Sequence, residues 1–320
     1  MDRENFLYLS DAALEGLEIS PVTVADTIET ALREKAAGRL RTAPKSVILP
    51  GDGRYMMSTL AVGEAPAFTI LKAVSVCPDN PGLDLPAING SILVFDAATG
   101  LLAALLDANW VTAVRTAALS AVAARRLADP NARSIAFIGT GVQARSHLAA
   151  FMAEYPIAEI RAVGRGQKNL DALCDLARSK GLEATASARP EEAMRDADII
   201  VTSVTLDYTI EPFLDARWLK PGAFAAITDL GIPWLKEGLS AFNRIAIDDS
   251  EQEAASQIPL VPAELVSGDL TDLVTGKVPD RDPSRPAAFA FRGIALGDFA
   301  AAALAVETAT ERGAGLRIAR

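Results

Sequence analysis

Three groups of residues in this chain have the types and spacing to do chemistry. The first is a turn. After the apolar run SIAFI the sequence reads Gly139-Thr140-Gly141-Val142-Gln143-Ala144, a GxGxxA pattern. The first glycine permits a tight turn, the second lets backbone approach a pyrophosphate, and the small third residue keeps helix and strand close. At a helix N-terminus the unpaired N–H groups and the dipole favour the anion. With a strand before it, a helix after it and further βα units behind, the pattern reads as a dinucleotide cradle rather than a structural turn.

The second group is charged residues in apolar settings. Lys72 interrupts the strand-like run TILKAVSV. A lysine buried in a strand is a paired or functional ammonium, and desolvation lowers its pKa until it exchanges a proton near neutrality. Arg115 lies on the alanine-rich segment VTAVRTAALSAVAARRLA, where Thr112 and Thr116 make a polar spot ahead of the glycine loop. Asp229 closes the run GAFAAITD, at the carboxyl end of a strand, where parallel sheets bind ligands. Each has a duller reading: an edge-strand lysine, a solvated arginine, a helix N-cap. Asp248 and Asp249 read as capping or surface residues. The one histidine, His147, follows the glycine loop by a turn and reads as structural, so proton transfer must be managed without imidazole.

The third group is a surplus of cations in the first part of the chain: Arg41, Lys45, Arg54, Lys72 and Arg115. They suit a small anionic substrate, with two carboxylates if all of them face it, while solvation of Arg41 and Arg54 is the competing reading. At the end of the second strand of the nucleotide fold the sequence reads AVGRGQ, with no carboxylate for a ribose diol. Arg165 there either binds a 2′-phosphate, as in NADP, or stacks on the adenine of NAD.

Composition narrows the partners. A net charge of −10 over 320 residues, without a basic run, argues against a polyanionic partner such as nucleic acid. No apolar run is long enough for a membrane span, and the start MDRENFLYLS lacks the core of a signal peptide. Two distant cysteines suggest reduced thiols, and two cysteines with one histidine do not make a metal site. A cytoplasmic globular protein is expected.

These residues need elements to hold them. From residue 134 onward, the runs SIAFIG, EIRAVG, DADIIVTSV, GAFAAITDLG and NRIAIDD alternate with helical segments, with Gly181 as a C-cap and Pro190 at a helix start. Alternating strand and helix predict an α/β fold, a Rossmann-type doubly wound parallel sheet. Before it, residues 21–38 predict an amphipathic helix. KSVILPG, RYMMSTLAV, AFTILKAVSV and GSILVFDAATGLLAALLD are strand-like runs joined by short turns. Direct hairpins favour an antiparallel sheet, so this part forms a smaller α+β domain. We expect a substrate-binding and dimerisation domain over 1–112, completed by the C-terminal segment 296–320 with a final helix from about 295 to 312, and a dinucleotide-binding domain over 113–295.

Over residues 40–315 the sequence resembles the ornithine cyclodeaminase/μ-crystallin family of imine-handling oxidoreductases. The resemblance is densest from LKAVSVCPDNPG through Thr112-x-x-Arg115-Thr116-Ala117-Ala118-x-Ser120-Ala121 to GTGVQAR, and returns in GIALGDFAAAALAVETATERGAG. It implies that Lys72 stands near the reacting carbon, that Arg115 grips the substrate α-carboxylate, and that Lys45 adds a second, point-charge contact. Arg54 and Met57 join them on the substrate side. Asp229 faces the substrate nitrogen and the cofactor. Thr116, Gly139, Thr140, Gly141, Val142 and Gln143 hold the cofactor phosphates, and Ser203, Val204 and Thr205 run beside the ribose and nicotinamide. The resemblance further implies NAD(H) or NADP(H) as cofactor and a homodimer. The stretch DLGIPWLKE and the segment Phe289-Ala290-Phe291 depart from the PGK-E and FKS patterns of ornithine-cyclising members. The expected activity is therefore reduction of a small anionic imino acid. Iminosuccinate, giving aspartate, is favoured over Δ1-pyrroline-2-carboxylate, giving proline, or iminopropionate, giving alanine. The alternatives are an NAD-dependent cyclodeaminase and a non-catalytic, μ-crystallin-like ligand-binding protein.

Overall fold

The computed structural model describes residues 3–205, 208–279 and 281–320. The chain begins with β1 (Asn5–Leu9), a short α1 (Asp11–Glu15) and α2 (Pro21–Ala36), the last with Ser20 as N-cap and Pro21 in its first turn. Five strands follow: β2 (Leu40–Ile48), β3 (Tyr55–Gly63), β4 (Phe68–Val76), β5 (Ile88–Asp96) and β6 (Leu102–Asp107). The alanine-rich segment is α3 (Ala108–Leu127).

Next come β7 (Ser134–Ile138), α4 (Val142–Glu154), β8 (Glu159–Val163), α5 (Gln167–Ser179), β9 (Glu183–Ala186), α6 (Pro190–Met194), β10 (Ile199–Thr202), β11 (Phe224–Ile227) and β12 (Arg244–Ile247). After α7 (Ser250–Ala254), β13 (Val266–Asp269), α8 (Leu270–Val274) and β14 (Ala287–Ala290), the chain closes with α9 (Ala295–Arg312) and β15 (Leu316–Ala319). Two compact units result. One takes the chain through Arg115 and again from Ile294; the other runs from Thr116 to Gly293, so the boundaries fall after Arg115 and Gly293 instead of after 112 and 295.

The first unit is a seven-stranded sheet in the order β15-β1-β6-β5-β4-β3-β2. β2 to β6 form an antiparallel meander, as the hairpin spacing predicts, while β1 adds in parallel to β6. Helices α2 and α9 pack against each other, and α9 lies on β2 to β5. Alternate residues along β4 therefore divide between a buried inner row (Ile70, Lys72, Val74) and an outer row that α9 does not reach. Gly63 permits close approach of α9, since a Cβ there would stand 2.4 Å from Phe299 Cζ. The final helix, expected from about 295 to 312, is α9, and the rest of the segment 296–320 is not helical. Gly313, in the left-handed conformation at φ 65°, ends α9, and Leu316–Ala319 pairs antiparallel with β1. An exposed four-residue edge strand carries little sequence signal, so β15 is not legible in the sequence.

The second unit is an eight-stranded, all-parallel sheet in the order β13-β12-β14-β11-β10-β7-β8-β9. The order reverses at β7, and the crevice between β7 and β10 is a topological switch point, where open α/β sheets bind ligands. Five of these strands are legible in the sequence and β9, β13 and β14 are not: β9 (EATA) and β13 (VSGD) carry no apolar run to mark them. β14 also enters out of chain order, between β11 and β12.

His147 is structural in this unit. It is fully buried on α4; its Nδ1 donates to the Gln143 carbonyl at 2.8 Å, so Nε2 accepts from Ser120 Oγ on α3 at 2.9 Å. Burial drives its pKa from 6.5 to about 4, only partly offset by the Gln143 carbonyl. The unfolded chain takes up a proton below about pH 6.5 that folded His147 refuses until about pH 4, so this site loses stability as pH falls through that window. Urea unfolding at pH 7 and pH 5 should therefore show a pH-dependent loss about 2 kcal/mol larger in the wild type than in His147→Gln. Equal losses in the two proteins would refute a neutral, buried His147.

Candidate active site

In the second unit, β7 ends at Ile138 and the backbone turns through Gly139, with φ 99°. A Cβ on Gly139 would stand 2.4 Å from the carbonyl oxygen of Ser203, so this glycine is required both by its dihedral and by the close approach of the turn after β10. Gly141 differs. It precedes α4 in extended conformation, without a side-chain cap, and a Cβ there would meet nothing within 4 Å. The open space over an uncapped helix N-terminus is room for a phosphate. Ala144 is buried beneath it, holding α4 to the sheet. Thr140 is buried, Val142 exposed and Gln143 half-buried. Gln143 Oε1 and Ser203 Oγ are both buried without a hydrogen-bond partner, and unmet polar atoms of that kind call for a ligand.

Asp229 stands two residues beyond β11 and is fully buried. Its Oδ1 accepts from Thr202 Oγ1 at 3.0 Å and its Oδ2 from the Val204 backbone N–H at 3.1 Å. Burial raises its pKa from 3.8 to about 6, against the lowering effect of those hydrogen bonds. Trp234, from the divergent stretch DLGIPWLKE, donates from Nε1 to Thr202 Oγ1 at 3.3 Å. That bond occupies the hydroxyl oxygen and leaves its proton for Asp229. Thr205 is exposed beyond this turn. Thr116 is buried on α3. Gly164 follows β8 with room only for hydrogen, since a Cβ would stand 2.5 Å from Thr140 Oγ1; Arg165 beside it is exposed. Of the two neighbouring aspartates only Asp249 caps, at the start of α7; Asp248 accepts from the N–H groups of Arg292 and Gly293, and both are buried, not surface residues.

In the first unit, Lys72 is 1% exposed on the inner row of β4, paired across the sheet with Thr59 of β3. Its Nζ lies 2.5 Å from Asp298 Oδ1 and 3.5 Å from Thr112 Oγ1. Arg115 is 6% exposed on α3, with Nε 3.1 Å from the same Asp298 oxygen. That is ion-pair distance without the alignment of a hydrogen bond, and both Nε and Nη1 of Arg115 lack an acceptor. Asp298 Oδ2 accepts from Thr59 Oγ1 at 2.9 Å. Burial, with the Arg115 charge, pulls the Lys72 ammonium from 10.5 to about 8, and Asp298 prevents a deeper fall. Burial alone would raise the Asp298 carboxyl, but the charges of Lys72 and Arg115 hold it below the ordinary range.

The register of β2 against β3 shifts between Ala43 and Ser46, a bulge carrying Pro44 and Lys45 opposite Thr59. Lys45 is half-buried there, and its charge also depresses the Lys72 ammonium. Met57 is half-buried two residues from Thr59 on the same face of β3. Arg54 is not part of this cluster: it is exposed in the turn before β3 and forks onto Asp52 Oδ2 through Nε and Nη2 at 2.9 and 2.6 Å. Arg41 is exposed on β2. The cation surplus inferred from the sequence thus shrinks to Lys45, Lys72 and Arg115. Asp298, which the sequence reading missed, is the anion among them. Its one signal was a lone carboxylate in the apolar run IALGDFAAAALAV.

The profile of the ornithine cyclodeaminase/mu-crystallin family matches residues 7–313. Among individual relatives, a Delta(1)-pyrroline-2-carboxylate reductase of Bacillus cereus is 29% identical over 262 residues, covering 78% of this chain and 79% of its own. The fold superposes on a Thermococcus litoralis Delta(1)-pyrroline-2-carboxylate reductase, solved with NADH and L-proline, with TM-score 0.89 and 25% identity over 98% of this chain and all of the other. It also superposes on an archaeal alanine dehydrogenase dimer with bound NAD, with TM-score 0.86 and 25% identity over 98% and 99% of the two chains. With residues 7–313, nearly its whole length, matched, this chain belongs to the ornithine cyclodeaminase/mu-crystallin family.

Proposed function

We propose that the protein is an NAD(P)H-dependent reductase of small anionic 2-imino acids, with iminosuccinate as its lead substrate. What carries this reading is Arg115: a buried guanidinium with unmet donors beside a buried ammonium is a receptor for a carboxylate. The choice of a dicarboxylate rests on charge, because Lys72 and Arg115 meet a single carboxylate, Asp298, and the charge of Lys45 reaches Lys72 as well. In the second unit Gly141 and the α4 N-terminus would hold the phosphates of the dinucleotide, and Ser203, Val204 and Asp229 would hold its ribose and nicotinamide. The dinucleotide supplies the hydride.

The chain's own residues bind, orient and move protons. Arg115 holds the α-carboxylate and fixes the imine carbon for attack, which converts binding into rate. Asp229, ionised above about pH 6, stabilises a positive iminium nitrogen. Lys72, protonated below about pH 8, donates to the nitrogen as its lone pair forms. Ammonia release from ornithine without net cofactor turnover would identify the cyclodeaminase alternative.

The outer face of the first unit's sheet gives the second half of the proposal. Leu60, Leu71, Leu93 and Leu105 form one cross-strand row over β3 to β6, all exposed or half-buried, with Val62 and Met56 exposed nearby. An apolar face of this kind marks an interface, and we assign it to a second copy of this chain, in line with the dimeric archaeal relative. Two free thiols, Cys77 and Cys174, suit the reducing cytoplasm.

Three measurements test these points. Oxidation of NADH or NADPH should be fastest with the imine formed from oxaloacetate and ammonia, slower with that from pyruvate or with Δ1-pyrroline-2-carboxylate; Arg115→Met should lower kcat/KM at least about 100-fold, the loss of a charged bidentate contact. A preference for monocarboxylic imines would remove iminosuccinate, and no turnover on any imine would remove the reductase. The pH profile of kcat/KM should rise through about pH 6, as Asp229 ionises, and fall through about pH 8, as Lys72 loses its proton, and Asp229→Asn should abolish the acid limb. Sedimentation should give twice the 33.6 kDa chain mass, with Leu60→Arg shifting the protein to monomer; a monomeric wild type would refute the assigned interface.

A further inference from the structure

Helix α9 is apolar and alanine-rich around most of its surface, yet it carries one buried carboxylate in its first turn. Replacing a buried ion pair by apolar side chains is often neutral or stabilising, so stability alone is a weak reason for placing a charge there. The geometry around it is closed on every side by groups of the candidate site. From β4 comes Lys72 Nζ at 2.5 Å, from α3 Arg115 Nε at 3.1 Å, and from β3 Thr59 Oγ1 at 2.9 Å. Lys45 on β2 is the remaining charged group acting on Lys72, and Thr112 on α3 is its remaining polar neighbour.

We propose that Asp298 is a positioning residue: one of its oxygens is shared by Lys72 and Arg115, the other is anchored on Thr59, and so it holds both cations in register for a substrate carboxylate and nitrogen. With Asp298 lying against Nε, Nη1 of Arg115 is left over for the ligand. The single shared oxygen also ties the two cations together, so moving the carboxylate displaces both. The helix N-terminus beneath Asp298 favours the ionised carboxylate without neutralising the cations. What the two cations do to a substrate rests on the imine-reductase reading; how they are held does not.

The test begins without substrate. In lysine-labelled protein, the Lys72 ammonium can be titrated by 15N NMR, with Lys72→Arg identifying its signal. In Asp298→Asn, which keeps the shape and removes the charge, the inflection should fall by about one pH unit or more, because burial and the charges of Arg115 and Lys45 then act unopposed. A folded Asp298→Asn protein with an unmoved inflection overturns the proposal, whatever the protein reduces. Kinetics with the pyruvate-derived imine give the second readout. KM should rise at least about tenfold in Asp298→Asn, and the alkaline limb should move with the Lys72 titration. Asp298→Glu retains the charge and displaces it by a methylene, so its Lys72 inflection should stay near wild type while its KM rises. If the asparagine variant does not fold, an unchanged KM in the glutamate variant overturns the proposal. A shifted Lys72 inflection together with no turnover in the wild type would sustain the positioning role and reject the imine-reductase reading.

Discussion

Three charges buried together are costly, and the first unit brings them into contact so that each is tolerable. Lys72 and Asp298 are each 1% exposed and Arg115 6%. A lone ion in such surroundings would neutralise or stay unburied. Here one carboxylate meets two cations, with a threonine on its second oxygen. The exchange is unequal: two cations against one anion leave the cluster positive, and Nε and Nη1 of Arg115 stay without an acceptor.

Much of the surrounding fold can be understood as what brings those side chains to one point. The inner row of the meander fixes Thr59 opposite Lys72. The bulge at Pro44 and Lys45 adds a further charge. Gly63 lets Phe299, the neighbour of Asp298, seat α9 on β3. In the second unit the corresponding constraint is steric. Gly139 and Gly164 are each backed by other parts of the unit, Ser203 and Thr140, whereas Gly141 faces open space. Two glycines are required by the protein's own packing, and the third is not.

Asp229 shows how a carboxylate is tuned without a counter-ion. Hydrogen bonds from Thr202 and Val204 satisfy it, burial destabilises its charge, and the balance puts it at about 6, well placed for a group that must be ionised at neutrality yet hold its charge weakly. Trp234 supports it through Thr202, so the stretch that follows Asp229 turns back to serve it. His147, the residue a reader would first suspect, is spent on joining α3 to α4.

Local features were legible where the physics is local. The glycine turn is written in backbone permissiveness, the meander in short turns, the parallel sheet in alternating strands and helices, and the suspicion of Lys72 in a charge set among β-branched residues. Arg54 and Asp298 mark the limit. Both are single charges whose meaning depends on what lies opposite: Arg54 turns back two residues to Asp52 and belongs to the surface, while Asp298 meets Lys72 across 226 residues of chain. β14 is similar, a four-residue strand that joins the centre of its sheet only because β11 and β12 leave a gap for it. By itself the sequence determined the two architectures, the nucleotide turn and which cations were worth watching, because those follow from periodicity, turn chemistry and burial cost. Only the tertiary structure decided which cations share one carboxylate and which face water, because pairing energy depends on distance in space and no spacing along the chain encodes it.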